Sequence, residues 1–90
     1  MKEPICFGDL VISIAGRDKG ERFLVVDVKD GYANIVNGRT RKVDNPKRKK
    51  TKHLEKVLGA RVDLALKIQN GEPVGNKRVY LAVKAEKEKV

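Results

Sequence analysis

The chain is 90 residues long, 37% charged and 40% hydrophobic, with a formal net charge of +9. That length holds one domain, or a domain with a short appendage, and its modest core leaves any large partner on the outside; the composition is globular and excludes a disordered tail. One cysteine excludes an internal disulfide, one histidine beside it excludes a structural zinc site, and no apolar run approaches the roughly 18 to 20 residues of a membrane span.

The charge is concentrated. Residues 37–56 hold nine Lys and Arg against two acids, a local +7, whereas the 36 residues before them carry five bases against six acids and the 34 after them seven against four. A basic block beside a near-neutral body is the footprint of a polyanion ligand, because each phosphate neutralised releases condensed counterions. A solvated loop that keeps a small protein soluble is the plainer reading of the same residues. The opening Met-Lys-Glu-Pro lacks the apolar core of a secretion signal. The expected location is therefore a reducing cytoplasm, with Cys6 packed as a small hydrophobe.

The pattern is β through about residue 56. Leu10, Ile12 and Ile14 alternate with Val11, Ser13 and Ala15, the period of two of a pleated strand. In the next segment, Ala15-Gly16-Arg17-Asp18-Lys19-Gly20, two glycines flank a tip that presents Arg17 and Lys19. Such a tip is as often an ordinary hairpin as a ligand loop; in the second case the Gly20 amide is open to a phosphate. Residues 23–28 form a β-favouring run long enough for a strand buried on much of both faces. Lys29-Asp30-Gly31 turns the chain and residues 32–36 return as a third strand.

Asn37-Gly38 predicts a two-residue type I′ hairpin that pairs residues 33–36 with 39–43, Arg39 and Arg41 on one face, Thr40 and Lys42 on the other. Asp44-Asn45-Pro46 breaks that strand, Lys47-Arg48-Lys49-Lys50 reads as a mobile loop, and residues 51–57 as a short fifth strand. Five short antiparallel strands predict a mostly β fold, a small half-open barrel that hides its edges. Beyond it, Val62, Ala65, Leu66 and Gln69 fall at helical spacing, although Val62, Leu64, Leu66 and Ile68 also alternate like a strand; a short helix is expected, with Asn70-Gly71-Glu72-Pro73 as the stop. Asn76 is the expected N-cap of a second helix with Val79, Tyr80, Val83 and Lys87 along one side, fraying over residues 86–90. The expected organisation is a barrel over residues 1–57 and a short helical extension over 58–90.

The residues offer little to catalysis. Ser13 is the only serine, His53 the only histidine, and no carboxylate pair stands out as an acid–base couple. The glycines spell neither a phosphate-binding P-loop nor a dinucleotide fingerprint. No enzyme, cofactor or metal is expected.

Gly8-Asp9-Leu10-Val11, then Ile14 and Gly16, Lys19-Gly20, Val25, Val28 and Val36-Asn37-Gly38 together resemble a KOW motif. The order Gly16-Arg17-Asp18-Lys19-Gly20, Val26-Asp27-Val28, Asn37-Gly38-Arg39-Thr40-Arg41 and Lys52-His53-Leu54-Glu55 is similar to the KOW-containing large-subunit ribosomal proteins of archaea and eukaryotes. Phe23 stands where many KOW sequences carry a glycine. The resemblance implies an SH3-like barrel, the motif glycines Gly8, Gly16, Gly20 and Gly38, and binding of folded large-subunit ribosomal RNA through basic loops, with ribosomal proteins as further partners. A membrane or a small-molecule substrate is not expected.

In that reading Arg39 and Arg41 grip phosphates with planar forks, Lys47, Arg48, Lys49 and Lys50 follow an irregular backbone, and Lys42, Lys52 and His53 extend the stripe. Arg17 and Lys19 form a second contact. Phe7, Phe23, Tyr32 and Tyr80, with no Trp, are too few and too core-like for a stacking platform. The expected mode is shape-and-backbone recognition with a steep salt dependence. Two competitors stay open: an SH3-like protein-interaction module, such as a transcription or ribosome-assembly adaptor, and a DNA-binding nucleoid accessory.

Overall fold

Five strands precede two helices in a computed structural model that describes residues 4–88: β1 (Asp9–Ser13), β2 (Arg22–Lys29), β3 (Tyr32–Val36), β4 (Lys47–Lys50), β5 (Leu54–Ala60), α1 (Val62–Gln69) and α2 (Asn76–Glu88). All strand pairs are antiparallel, in the order β4-β3-β2-β1-β5, and the sheet curls into a half-open SH3-like barrel. Cross-strand partners share a face, so the registers Val11↔Phe23 and Val25↔Ile35 line the concave side. There Ile5, Ala33 and Leu54 join them in one buried cluster. Leu10↔Leu24 and Leu24↔Val36 line the opposite face. That face meets Leu64 and Ala65 of α1 and Val79, Ala82 and Val83 of α2. β2 is thus covered on both sides, which is why its sequence runs apolar from Phe23 to Val26 without alternation. A bulge after Val25 lets both Val26 and Asp27 face outward before the register resumes at Asp27↔Asn34.

The Asp30-Gly31 turn forms as its residues demand, with φ of 53° and 80° at the two positions. The second turn does not. Asn37-Gly38 opens a loop rather than a hairpin, and residues 39–43 contain no strand. The partner of β3 is instead the basic run, through Tyr32↔Lys50, Ala33↔Lys49, Asn34↔Arg48 and Ile35↔Lys47. Lys47–Lys50 is therefore a strand and not a mobile loop. Thr51–His53 form a 3-10 turn, and β5 begins only at Leu54 and runs on to Ala60.

α1 ends where Asn70-Gly71 predicts, in a Schellman closure: Glu72 N–H donates to the Lys67 carbonyl (2.9 Å) and Gly71 N–H to that of Ile68 (3.1 Å). Asn76 is not a side-chain cap. The Gly75 carbonyl, one residue before α2, accepts from the N–H groups of Arg78 (3.1 Å) and Val79 (3.3 Å), while Asn76 Oδ1 accepts from the Val43 N–H at 2.8 Å. The Lys87 side chain and residues 89–90 lie outside the described residues. No helix among the described residues is long and apolar enough to cross a membrane.

Gly38 sits at the junction of loop and helix with φ of 76°, and a Cβ there would overlap the Asn76 carbonyl and approach the Tyr80 nitrogen to 2.8 Å. Gly20 has φ of 92° and nothing within 4 Å of the same hypothetical atom. Gly20→Ala should therefore lose only the left-handed backbone penalty, about 1–2 kcal/mol. Gly38→Ala should lose distinctly more, because backbone atoms must also shift; urea unfolding of the two variants side by side measures the difference.

Candidate nucleic-acid interface

At one end of the barrel the β1–β2 loop is tied to β4 through a buried carboxylate. Asp18 Oδ1 accepts from Ser13 Oγ (2.7 Å) and Lys49 Nζ (2.8 Å), and its Oδ2 from Lys47 Nζ (2.9 Å); Lys49 Nζ also donates to the Ala15 carbonyl (2.9 Å). Lys49 is only 8% exposed. Burial alone would push the Asp18 carboxyl up, but hydrogen bonds from Lys49, Lys47 and Ser13 outweigh it and hold the group well below the usual carboxylate range. Strand alternation explains the choice of lysines. Lys47 and Lys49, opposite Ile35 and Ala33, turn inward to Asp18, whereas Arg48 and Lys50 point to the outer face.

Two expected phosphate ligands are thereby committed to the fold. Lys47 and Lys49 both donate to Asp18, Lys49 almost wholly buried and Lys47 with 29% of its side chain exposed. The Gly20 amide is also taken, donating to the Ser13 carbonyl at 2.9 Å. The tip residues Arg17 and Lys19 are exposed, on a loop that the Asp18 cluster fixes in place.

The 37–45 loop is ordered by Asn37, which is buried. Its Oδ1 accepts from the N–H groups of Arg39 and Arg41, both at 2.9 Å, and its Nδ2 donates to Thr40 Oγ1 at 2.9 Å. Thr40 Oγ1 in turn donates to Glu21 Oε1 at 2.9 Å, so this loop is stitched to the one carrying Arg17 and Lys19. Arg39 and Lys42 are exposed and Arg41 half-buried. Arg17, Lys19, Arg39, Arg41 and Lys42 thus share the same end of the barrel, and no carboxylate among the described residues pairs with them. Of the motif glycines, Gly8 and Gly38 are close-packing positions, against Val62 and the first turn of α2; Gly16 and Gly20 shape the loop around Asp18.

A second basic group lies on the outer face of β3 and β4. The Arg48 guanidinium sits 3.9 Å from the centre of the Tyr32 ring, and Lys50 stands directly across from Tyr32. Lys52 and His53 occupy the 3-10 turn beyond it, where the His53 carbonyl accepts from the Ile14 N–H at 2.9 Å. Neither tyrosine is a core residue: Tyr32 and Tyr80 are half-exposed, and Arg39 lies 5.7 Å from the Tyr80 ring centre. Cys6 is exposed rather than packed.

Sequence reasoning missed Asp18, because its lysine partners are 29 and 31 residues away. It also missed the surface tyrosines, although Tyr80 and Lys84, four apart on α2 with the ammonium 6.0 Å from the ring centre, carry a legible signal. No protein-family model matches this chain, and none of the curated proteins compared with it does.

Asp18→Asn leaves Lys49 buried beside a neutral amide and should cost about 3–5 kcal/mol in urea unfolding. Lys49→Met keeps the aliphatic stem and removes the buried charge, so it should cost less. The folded Asp18 carboxyl holds its proton less tightly than the unfolded one. Its contribution to stability is therefore complete above the unfolded carboxylate range, about pH 4, and fades as pH falls from there toward the depressed folded value. Acid titration of wild type against Asp18→Asn, followed by circular dichroism, should show that fading in the wild type only.

Proposed function

We propose that this chain binds structured ribosomal RNA through the cations at its barrel end, as a ribosomal or ribosome-associated component of the cytoplasmic translation apparatus and not as an enzyme. The observation that carries the reading is the union of Arg17, Lys19, Arg39, Arg41 and Lys42 on two hydrogen-bonded loops without carboxylate partners among the described residues. Cations without acidic partners have no ion pair to break on meeting phosphate, and an ordered backbone spares the cost of fixing the loop, so their electrostatic attraction is realised on binding. Arg48 and Lys50 add a flank along the outer strands. The KOW-like order of residues supplies the ribosomal part of the proposal, and shape-and-backbone recognition of folded RNA supplies the mode.

The competing reading is an SH3-like adaptor that docks a protein. It draws on Val62 and Leu66, 50% and 47% exposed one turn apart on α1, and on Leu81 of α2 at 51%. These three side chains are the exposed large hydrophobics of the described surface, a small area beside the basic end. Charge therefore favours RNA.

Affinity for a structured ribosomal RNA fragment across a salt series tests the assignment. Replacing Arg17, Lys19, Arg39 and Lys42 with Ala should flatten the plot of log affinity against log salt by about 0.7 to 0.9 for each phosphate no longer neutralised. Lys49→Met should leave the slope unchanged. A surface variant with the wild-type slope would overturn the assignment.

A further inference from the structure

Between the 37–41 segment and α2 lies an open pocket of about 320 Å³. Arg22, Arg39 and Lys84 bring three cations to its wall, Tyr80 and Val83 an aromatic and an apolar surface, and Glu21 the acid. Glu21 Oε1 is already engaged by Thr40 and Asn37, at 2.9 and 3.4 Å. Two of the cations lie near the Tyr80 ring, Arg39 5.7 Å and Lys84 6.0 Å from its centre. Both distances are at the loose limit for a cation over a ring, so neither cation is closely stacked on it. Arg22 adds an unpaired donor: its Nη1 is buried and has no hydrogen-bond partner among the described residues. A buried donor without an acceptor is unfavourable and is satisfied when a ligand brings one.

We infer that this pocket receives one unpaired nucleotide of the bound RNA, its base on the Tyr80 ring and its phosphate against Arg39 and Lys84. The inference rests on the RNA-binding reading and deepens it, from backbone recognition to a site for a single extruded residue. Three observations converge on that ligand class. An aromatic face and an apolar neighbour suit a planar base, which any of the four bases can supply. Two cations beside the ring suit a phosphate attached to that base, and the Arg22 guanidinium at the wall suits a base carbonyl or a ribose hydroxyl. The pocket wall is also preorganised: Asn37 fixes the backbone at Arg39, and Gly38 packs on the first turn of α2, which carries Tyr80 and Lys84. Folded RNA offers such residues in its loops and bulges, where bases are free to splay out.

The test measures the affinity of wild type, Tyr80→Phe and Tyr80→Leu for a structured RNA with an unpaired bulge across a salt series, and titrates the free protein with adenosine monophosphate and with inorganic phosphate, followed by amide NMR shifts. Tyr80→Leu should weaken RNA binding about 5- to 100-fold with the salt slope unchanged, since it removes a stacking surface and keeps the phosphate-binding cations, and Tyr80→Phe should retain wild-type affinity. The mononucleotide should shift the amides of Gly20, Arg39, Tyr80 and Lys84 at concentrations where phosphate alone does not. Full RNA affinity in a folded Tyr80→Leu variant, together with no mononucleotide shifts, overturns the pocket and leaves RNA binding intact. Absence of RNA binding by the wild type sinks the broader reading instead, and mononucleotide shifts confined to the pocket would then still support a nucleotide site.

Discussion

The Asp18 carboxylate, shared by Lys47 and Lys49, is the junction on which the basic end of this barrel depends. It joins a loop between the first two strands to a strand that no apolar residue holds in place. β4 contains only Lys and Arg, so hydrophobic burial cannot dock it. Its ladder to β3 and the inward lysines do so instead, Lys49 opposite Ala33 and Lys47 opposite Ile35, with both ammonium groups on the one Asp18 carboxylate. A buried ion pair recovers its desolvation penalty only when hydrogen bonds complete it. Here both carboxylate oxygens are used, and Ser13 Oγ and the Ala15 carbonyl close the remaining positions. The outcome is geometric as much as energetic. One face of a four-residue basic strand serves the structure, and the other is left for solvent or ligand.

A second junction does the same for the long loop. Asn37 gathers the amides of Arg39 and Arg41, Glu21 ties Thr40 to the first loop, and Asn76 of α2 holds Val43 from the far side. The helices are thus more than a cover for the outer face of β2. Through Gly38 and Asn76 they set the path of the segment that carries the exposed arginine and lysine. A basic loop with this many fixed points behaves as a rigid surface, which suits recognition of RNA by shape.

Legibility in the sequence follows the range of the interactions. Strands β1 to β3, the Asp30-Gly31 turn and the end of α1 are governed by neighbours within a few residues, and period, φ demand and glycine closure expose them directly. β4 is hidden because its interior positions are lysines, and the residue that makes them interior lies in another loop. The Asn37-Gly38 pair favours a hairpin in isolation. Here the Asn37 side chain replaces the ladder with an Asx-type closure, supported by Glu21 and Asn76 at a distance no local rule sees. Arg39 and Lys42 are legible as surface cations, yet they belong to a loop and not to an alternating strand. The two tyrosines look like core from their apolar neighbours in the chain, although β3 and α2 each leave one side half open.

What emerges is a small barrel that separates its basic residues into two kinds, those that complete the fold and those that face outward. The outward set is the basis for proposing that the chain binds RNA, and the KOW-like order of residues for proposing that the RNA is ribosomal. The most direct measurement is sedimentation of a cell lysate through a sucrose gradient at low and at raised salt, with the protein followed by immunoblot. Migration with the large ribosomal subunit at low salt is the predicted result, and its persistence at raised salt would mark an integral component, its disappearance a transient one. Absence from ribosomal fractions even at low salt would contradict the assignment and favour the protein-docking reading.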